Sequence, residues 1–128
     1  MSIELHMLIL ACALAFAAVL AAVLGATMQI GLPALAGNRE NLPAIHGWAG
    51  RAQRAHRNLL ESLVLFAILV LAGAATGRSN MMTVAGSEIF LGARIIYQLV
   101  YVAGIAWLRT LCWLTSVAGL VLLFIGLL

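Results

Sequence analysis

The chain has 128 residues, 65% hydrophobic and only 9% charged, and its formal net charge of +3 comes from seven arginines with no lysine. A water-soluble domain carries about 25% charged residues, so this composition excludes a soluble globular protein and makes lipid the solvent. The length allows one domain, and so few arginines, mostly beside apolar spans, exclude a nucleic-acid surface.

A membrane-spanning helix needs about 20 apolar residues, and four segments qualify: about 5–30, 48–75, 81–107 and 111–128. The first follows Ser2, Glu4 and His6 and then runs uncharged from Met7 to Met28. A cleaved signal has a positive flank and an apolar stretch of about 7–15 residues, so this segment reads as a retained span. Its alanines Ala11, Ala15, Ala18 and Ala22 form a packing stripe. Residues 31–47, with Pro33, Gly37, Asn38 and Pro43, read as a loop that holds a solvated His46. The second helix has a polar start reaching back to Trp48 and ends in Gly73-Ala-Ala-Thr-Gly77, a GxxxG pattern that permits close packing. Residues 76–80 form a tight polar turn, and residues 108–110, with Arg109, form a shorter one before the fourth helix. Short turns force antiparallel neighbours, so the expected fold is an all-α, integral-membrane, up-down bundle of four helices.

Cys12 and Cys112 lie in apolar segments and read as small hydrophobes, with too few cysteines for a disulfide framework or a metal site. Trp48, Trp107 and Trp113 read as an interfacial belt. Arg39, Arg51, Arg54, Arg57 and Arg109 fall on one side of the membrane and Arg78 on the other. That bias places the first and third connections in the cytoplasm. The short, lysine-free chain, rich in alanine and leucine, suggests a bacterial inner membrane.

An ionisable side chain inside a bilayer costs about 2.5–3.5 kcal/mol on insertion scales, which makes each one a candidate for function. Arg51, Arg54, Asn58 and Glu61 are spaced three, four and three apart, on one face of the second helix. Arg94, Tyr97 and Tyr101 share one face of the third, flanked by Gln98. The start of the second helix and the end of the third lie at similar depth, so the two stripes can meet beneath Arg109. Glu88 lies about 240° round the helix from Arg94 and falls outside that region. A Glu61–Arg94 ion pair fixing helix register would explain two of these residues but not the other arginines or the tyrosines. An excess of guanidinium suggests an anionic ligand, because arginine binds carboxylates bidentately.

The run Arg51-Ala-Gln-Arg54-Ala-His56-Arg-Asn58-Leu-Leu-Glu61 through Phe66 resembles the signature of the MAPEG family, the membrane-associated proteins of eicosanoid and glutathione metabolism. Ala93-Arg94-Ile-Ile-Tyr97-Gln98-Leu-Val-Tyr101 and Gly104-Ile-Ala-Trp-Leu-Arg109-Thr are similar to that family as well. The resemblance implies a homotrimer that binds glutathione between subunits near the cytoplasmic side. Arg54, Asn58, Glu61, Arg94, Tyr97 and Tyr101 would contact the ligand, with Arg51 and His56 beside them. Glu61 would take its amino group and the arginines its carboxylates. Arg109 would match the arginine that stabilises the thiolate. The implied activity is that of a glutathione transferase or glutathione-dependent peroxidase acting on a lipophilic second substrate, with glutathione as co-substrate and no metal.

Ser62 stands where some eicosanoid-forming members carry tyrosine, and Ala106 where many carry proline, which argues against a leukotriene synthase. Two other readings remain: a small proton-coupled multidrug or ion transporter built on Glu61, and a glutathione-binding membrane protein without turnover.

Overall fold

The computed structural model describes all 128 residues and contains helices and no strands. The helices are α1 (Ile3–Ile30), α2 (Leu32–Ala36), α3 (Gly47–Thr76), α4 (Met81–Ala103) and α5 (Ala106–Leu127). Of these, α1, α3 and α5 are long and apolar enough to cross a membrane. The sequence spacing predicts four spans. The fourth helix forms, but Thr83, Ser87, Glu88, Arg94 and Gln98 are spread along it and leave no stretch of α4 as apolar as those in α1, α3 and α5.

Helix starts and stops follow local chemistry. Ser2 caps α1, its hydroxyl accepting from the Leu5 amide at 3.2 Å. Within the first connection, Leu32–Ala36 is helical rather than loop, because Pro33 in the first turn needs no amide partner and has its φ preset. Asn80 caps α4 by accepting from the Met82 and Thr83 amides, while the Thr83 hydroxyl accepts from the Asn80 amide. The turn after α4 comes earlier than the sequence spacing predicts. Gly104 adopts φ 87°, a left-handed conformation that ends the helix. Trp107 therefore belongs to α5, and Arg109 stands in the first turn of that helix instead of in the connection.

Small residues let the helices approach closely. The alanine stripe of α1 is buried, and a Cβ on Gly25 would lie 2.5 Å from the Ala49 Cβ on α3. Gly86 of α4 faces Gly119 of α5 so tightly that a Cβ at either would come within 2.7 Å of the other helix's backbone. The central core is Ala11, Phe66, Val70, Phe90, Leu91 and Leu123, with the Phe66 and Phe90 rings stacked at 4.2 Å. In the GxxxG pattern only Gly73 packs, against Leu127; Gly77 is the left-handed cap that ends α3. Outward faces are apolar throughout, among them Phe16, Leu20 and Leu24 on α1, Val64, Leu65 and Ile68 on α3, and Val121, Phe124 and Ile125 on α5. A surface this apolar belongs in hydrocarbon or against other protein.

The polar contacts gather at the two ends. At one end, Arg78 and Asn80 donate to the last carbonyls of α5, Leu127 and Gly126, each at 2.7 Å. At the other, the Gln29 amide pairs with both backbone groups of His46: Nε2 donates to the carbonyl at 2.7 Å, and Oε1 accepts from the amide at 2.9 Å. His46 is an exposed loop residue, as the sequence predicts, and it stands directly ahead of α3 with its backbone tied to α1.

Candidate functional site

The charged stripe of α3 and the phenolic stripe of α4 meet. Arg94 is fully buried, and its Nη2 donates to Asn58 Oδ1 at 2.9 Å. The Arg94 guanidinium lies 4.1 Å over the ring of Tyr97, and Tyr97 meets Tyr101 edge-on with centroids 5.5 Å apart. Arg109, reaching across from α5, places its guanidinium 4.6 Å over the Tyr101 ring. Each arginine is oriented by an aromatic face, a favourable contact for a delocalised cation.

Two cavities that share walls open at this end. The larger, about 290 Å³, is lined by Arg54, Asn58, Tyr97, Tyr101, Arg109, Thr110 and Trp113. The smaller, about 70 Å³, shares Arg54, Tyr101 and Arg109 and adds Arg51 and the Gly104–Ala106 turn. Arg51 is held there by its own hydrogen bond, Nε donating to the Val102 carbonyl at 2.9 Å. Three guanidinium groups face these cavities and no carboxylate lines either. Such an arrangement attracts an anion, a carboxylate or a phosphate, through charge-assisted bidentate hydrogen bonds.

Of the residues singled out from sequence, Arg51, Arg54, Asn58, Tyr97, Tyr101 and Arg109 are brought together. Arg94 lies behind them. It lines neither cavity and reaches them through Asn58 and Tyr97, with its Nε and Nη1 buried and without partners. The alternative of an Arg94–Glu61 ion pair does not form; Asn58 takes the hydrogen bond instead.

Two residues line neither of these cavities. Glu61, one turn beyond Asn58, is exposed between Leu60, Val64 and Leu65 on the outer face of α3. His56 lines a separate cavity of about 520 Å³ between α1, the first connection and α3, beside Gln53, Arg57 and Arg39. The reason is angular: two positions on from Arg54 a helical residue turns about 200° away. Sequence reasoning missed Thr110 and Trp113 as cavity walls. The signal was present, since Trp113 follows Arg109 by four positions and so shares its face. It also missed Glu4, which is buried at the opposite end of the molecule.

No curated protein and no solved structure matches this chain. The model of the MAPEG family matches residues 4–128, from the first turn of α1 to the last residue, and therefore takes in every element that builds the cavities. The chain belongs to the MAPEG family, whose members are membrane proteins of glutathione-related or eicosanoid metabolism.

Proposed function

We propose that this protein is a membrane-bound glutathione transferase or glutathione-dependent peroxidase that acts on lipophilic electrophiles or hydroperoxides. The observation that carries this reading is the wall shared by the two cavities: Arg54 and Arg109 beside Tyr101, with Arg51 next to them and no neutralising carboxylate. The tripeptide has two carboxylates for the guanidinium groups to hold. A volume of about 290 Å³ lies at the lower edge of the small-molecule pocket range of about 300–1,000 Å³, as suits one wall of a site shared between subunits.

The chemistry asked of the protein is modest. A free thiol has a pKa near 8.5, so only a small part is thiolate at neutral pH. A permanently protonated guanidinium in a site of reduced dielectric lowers that value. Arg109 is the group assigned this role, because its stacking on Tyr101 holds it at the cavity wall. The thiolate then attacks an apolar electrophile that arrives from the lipid.

In the same reading α4 is the fourth span and three copies assemble. Twenty-three helical residues reach about 35 Å, enough for a hydrocarbon core of about 30 Å. The buried residues Thr83, Ser87, Arg94 and Gln98 keep most of the polarity of α4 inside, while Ile95, Ile96 and Leu99 face out. Glu61 supports assembly, since a carboxylate left in hydrocarbon costs about 2.5–3.5 kcal/mol. A neighbouring subunit covering that face, with a ligand amino group against Glu61, removes the cost. Proton-coupled transport is the weaker reading, because it needs Glu61 on the cavity wall.

Calorimetric titration of glutathione into detergent-purified protein, together with an ultraviolet thiolate difference spectrum and a conjugation assay, tests the proposal. Binding with thiolate formation and turnover is expected. Binding without thiolate would leave a glutathione-binding protein that is no enzyme, and absence of binding would end the reading.

A further inference from the structure

The end of the molecule opposite the arginine cavities holds a second built pocket. Glu4 is only 5% exposed, at the start of α1. Its Oε1 accepts from the Ser79 hydroxyl at 2.7 Å and from the Thr83 hydroxyl at 2.6 Å. Its Oε2 is buried and has no partner. The carboxylate lines a cavity of about 270 Å³ whose other walls include Ser2, Arg78 and Gly73, with Leu5, Leu69 and Leu127 on the apolar side.

A buried carboxylate oxygen without a donor is costly, and hydroxyls bonded to Oε1 favour the ionised form of this carboxylate. A cation or a strong N–H donor would satisfy that oxygen. The cavity is far larger than a single metal ion needs, and its walls offer one carboxylate where a bare divalent cation takes six to eight oxygens. Arg78 stands at the rim, exposed, with Nη1 on the Leu127 carbonyl and the rest of its guanidinium available to an anion. One cationic subsite, one anionic subsite and an apolar wall, at the end of three lipid-soluble helices, describe a zwitterionic amphiphile.

We propose that this pocket binds the headgroup of an ethanolamine phospholipid. The primary ammonium donates to the Glu4 carboxylate, the phosphate lies against Arg78, and an acyl chain leaves over Leu5, Leu69 and Leu127. A choline headgroup carries three methyl groups in place of N–H and cannot supply the hydrogen bond. The site shares no residue with the glutathione cavities, so it stands whether or not that reading holds.

Native mass spectrometry of the full-length protein with equimolar ethanolamine and choline phospholipids of the same acyl chains reads the preference directly. One charge-assisted hydrogen bond predicts at least about tenfold more ethanolamine lipid retained. Glu4→Gln keeps the shape and should bring the ratio to about one, whereas Arg78→Gln should weaken both lipids and keep the ratio. Should Glu4→Gln fail to fold, Ala74→Leu fills the cavity from α3 without touching the carboxylate, and it too must abolish the preference. Equal retention of the two lipids by the wild type overturns the proposal, as does a preference that survives either of these two variants. Displacement of the lipid by free ethanolamine at equal concentration would also overturn it, since the acyl chain would then contribute nothing.

Discussion

Arg94 and Asn58 are joined across α4 and α3 by a hydrogen bond of 2.9 Å, and this contact brings the two polar stripes into register. A fully buried guanidinium with one hydrogen bond and two unpartnered nitrogens is tolerable only while Asn58 and the Tyr97 face remain in place. Asn58→Ala should therefore cost about 1.5–3 kcal/mol, the worth of a hydrogen bond to a charged group. Arg94→Met, which removes the charge and keeps the volume, should cost less than Arg94→Ala. Thermal unfolding of the three variants in detergent gives the ranking; an Asn58→Ala protein as stable as the wild type would remove Asn58 as the partner that holds Arg94.

Arg109→Ala should leave the oligomer and the glutathione affinity largely intact while lowering conjugation turnover at least about tenfold, because a 1.4 kcal/mol loss of thiolate stabilisation is already a factor of ten. The sign of the pH effect follows. Without the guanidinium the thiol returns towards its free value near 8.5, so the rate profile of the variant shifts to higher pH and its deficit shrinks as pH rises. Stopped-flow rates across pH, with the thiolate spectrum as a second readout, test both parts. A profile that does not move would assign thiol activation to a different residue.

Gly86 and Gly119 face each other where α4 and α5 are closest, and neither has room for a methyl group. Gly86→Ala and Gly119→Ala should each destabilise by about 1–3 kcal/mol through overpacking. The double variant should cost less than the two effects added, because once the helices have separated for one methyl group the second enters relieved space. A double-mutant cycle by thermal unfolding gives the coupling; strict additivity would mean that the two glycines do not share one gap.

Gly104→Ala is expected to act on stability and activity together. A left-handed φ of 87° costs an L-residue about 1–2 kcal/mol. The Arg51 guanidinium also packs against this glycine, with Nε 3.4 Å from where a Cβ would stand. Glutathione affinity should fall along with melting temperature, read by calorimetry on the same preparation. Loss of stability with unchanged affinity would show that the turn does not position Arg51.

The all-α membrane class was legible because it depends on composition, which no packing detail can reverse. The meeting of the α3 and α4 stripes was legible too, because spacings of three and four leave little angular freedom on a helix. His56 lines a different cavity from Arg54 because two positions along a helix turn a side chain about 200° away. Glu61 continues the stripe of Asn58 one turn farther along and is exposed there, lining neither cavity. The α4 boundary was misjudged because Trp107 and Leu108 are as apolar as the helix before them, and only the glycine marks the stop. Glu4 could not be read as buried, since its hydroxyl partners Ser79 and Thr83 are more than seventy residues away.

The Gln29 side chain imitates a strand neighbour to His46, answering both of its main-chain groups at once. That clasp closes the intervening segment into a ring of chain whose two ends are held at constant separation. Length inside the ring is then inexpensive, growing only with the logarithm of residue number. The segment between Leu32 and Ile45 can therefore vary in size and composition, while the helix that carries Arg51 and Arg54 begins at an unchanged place.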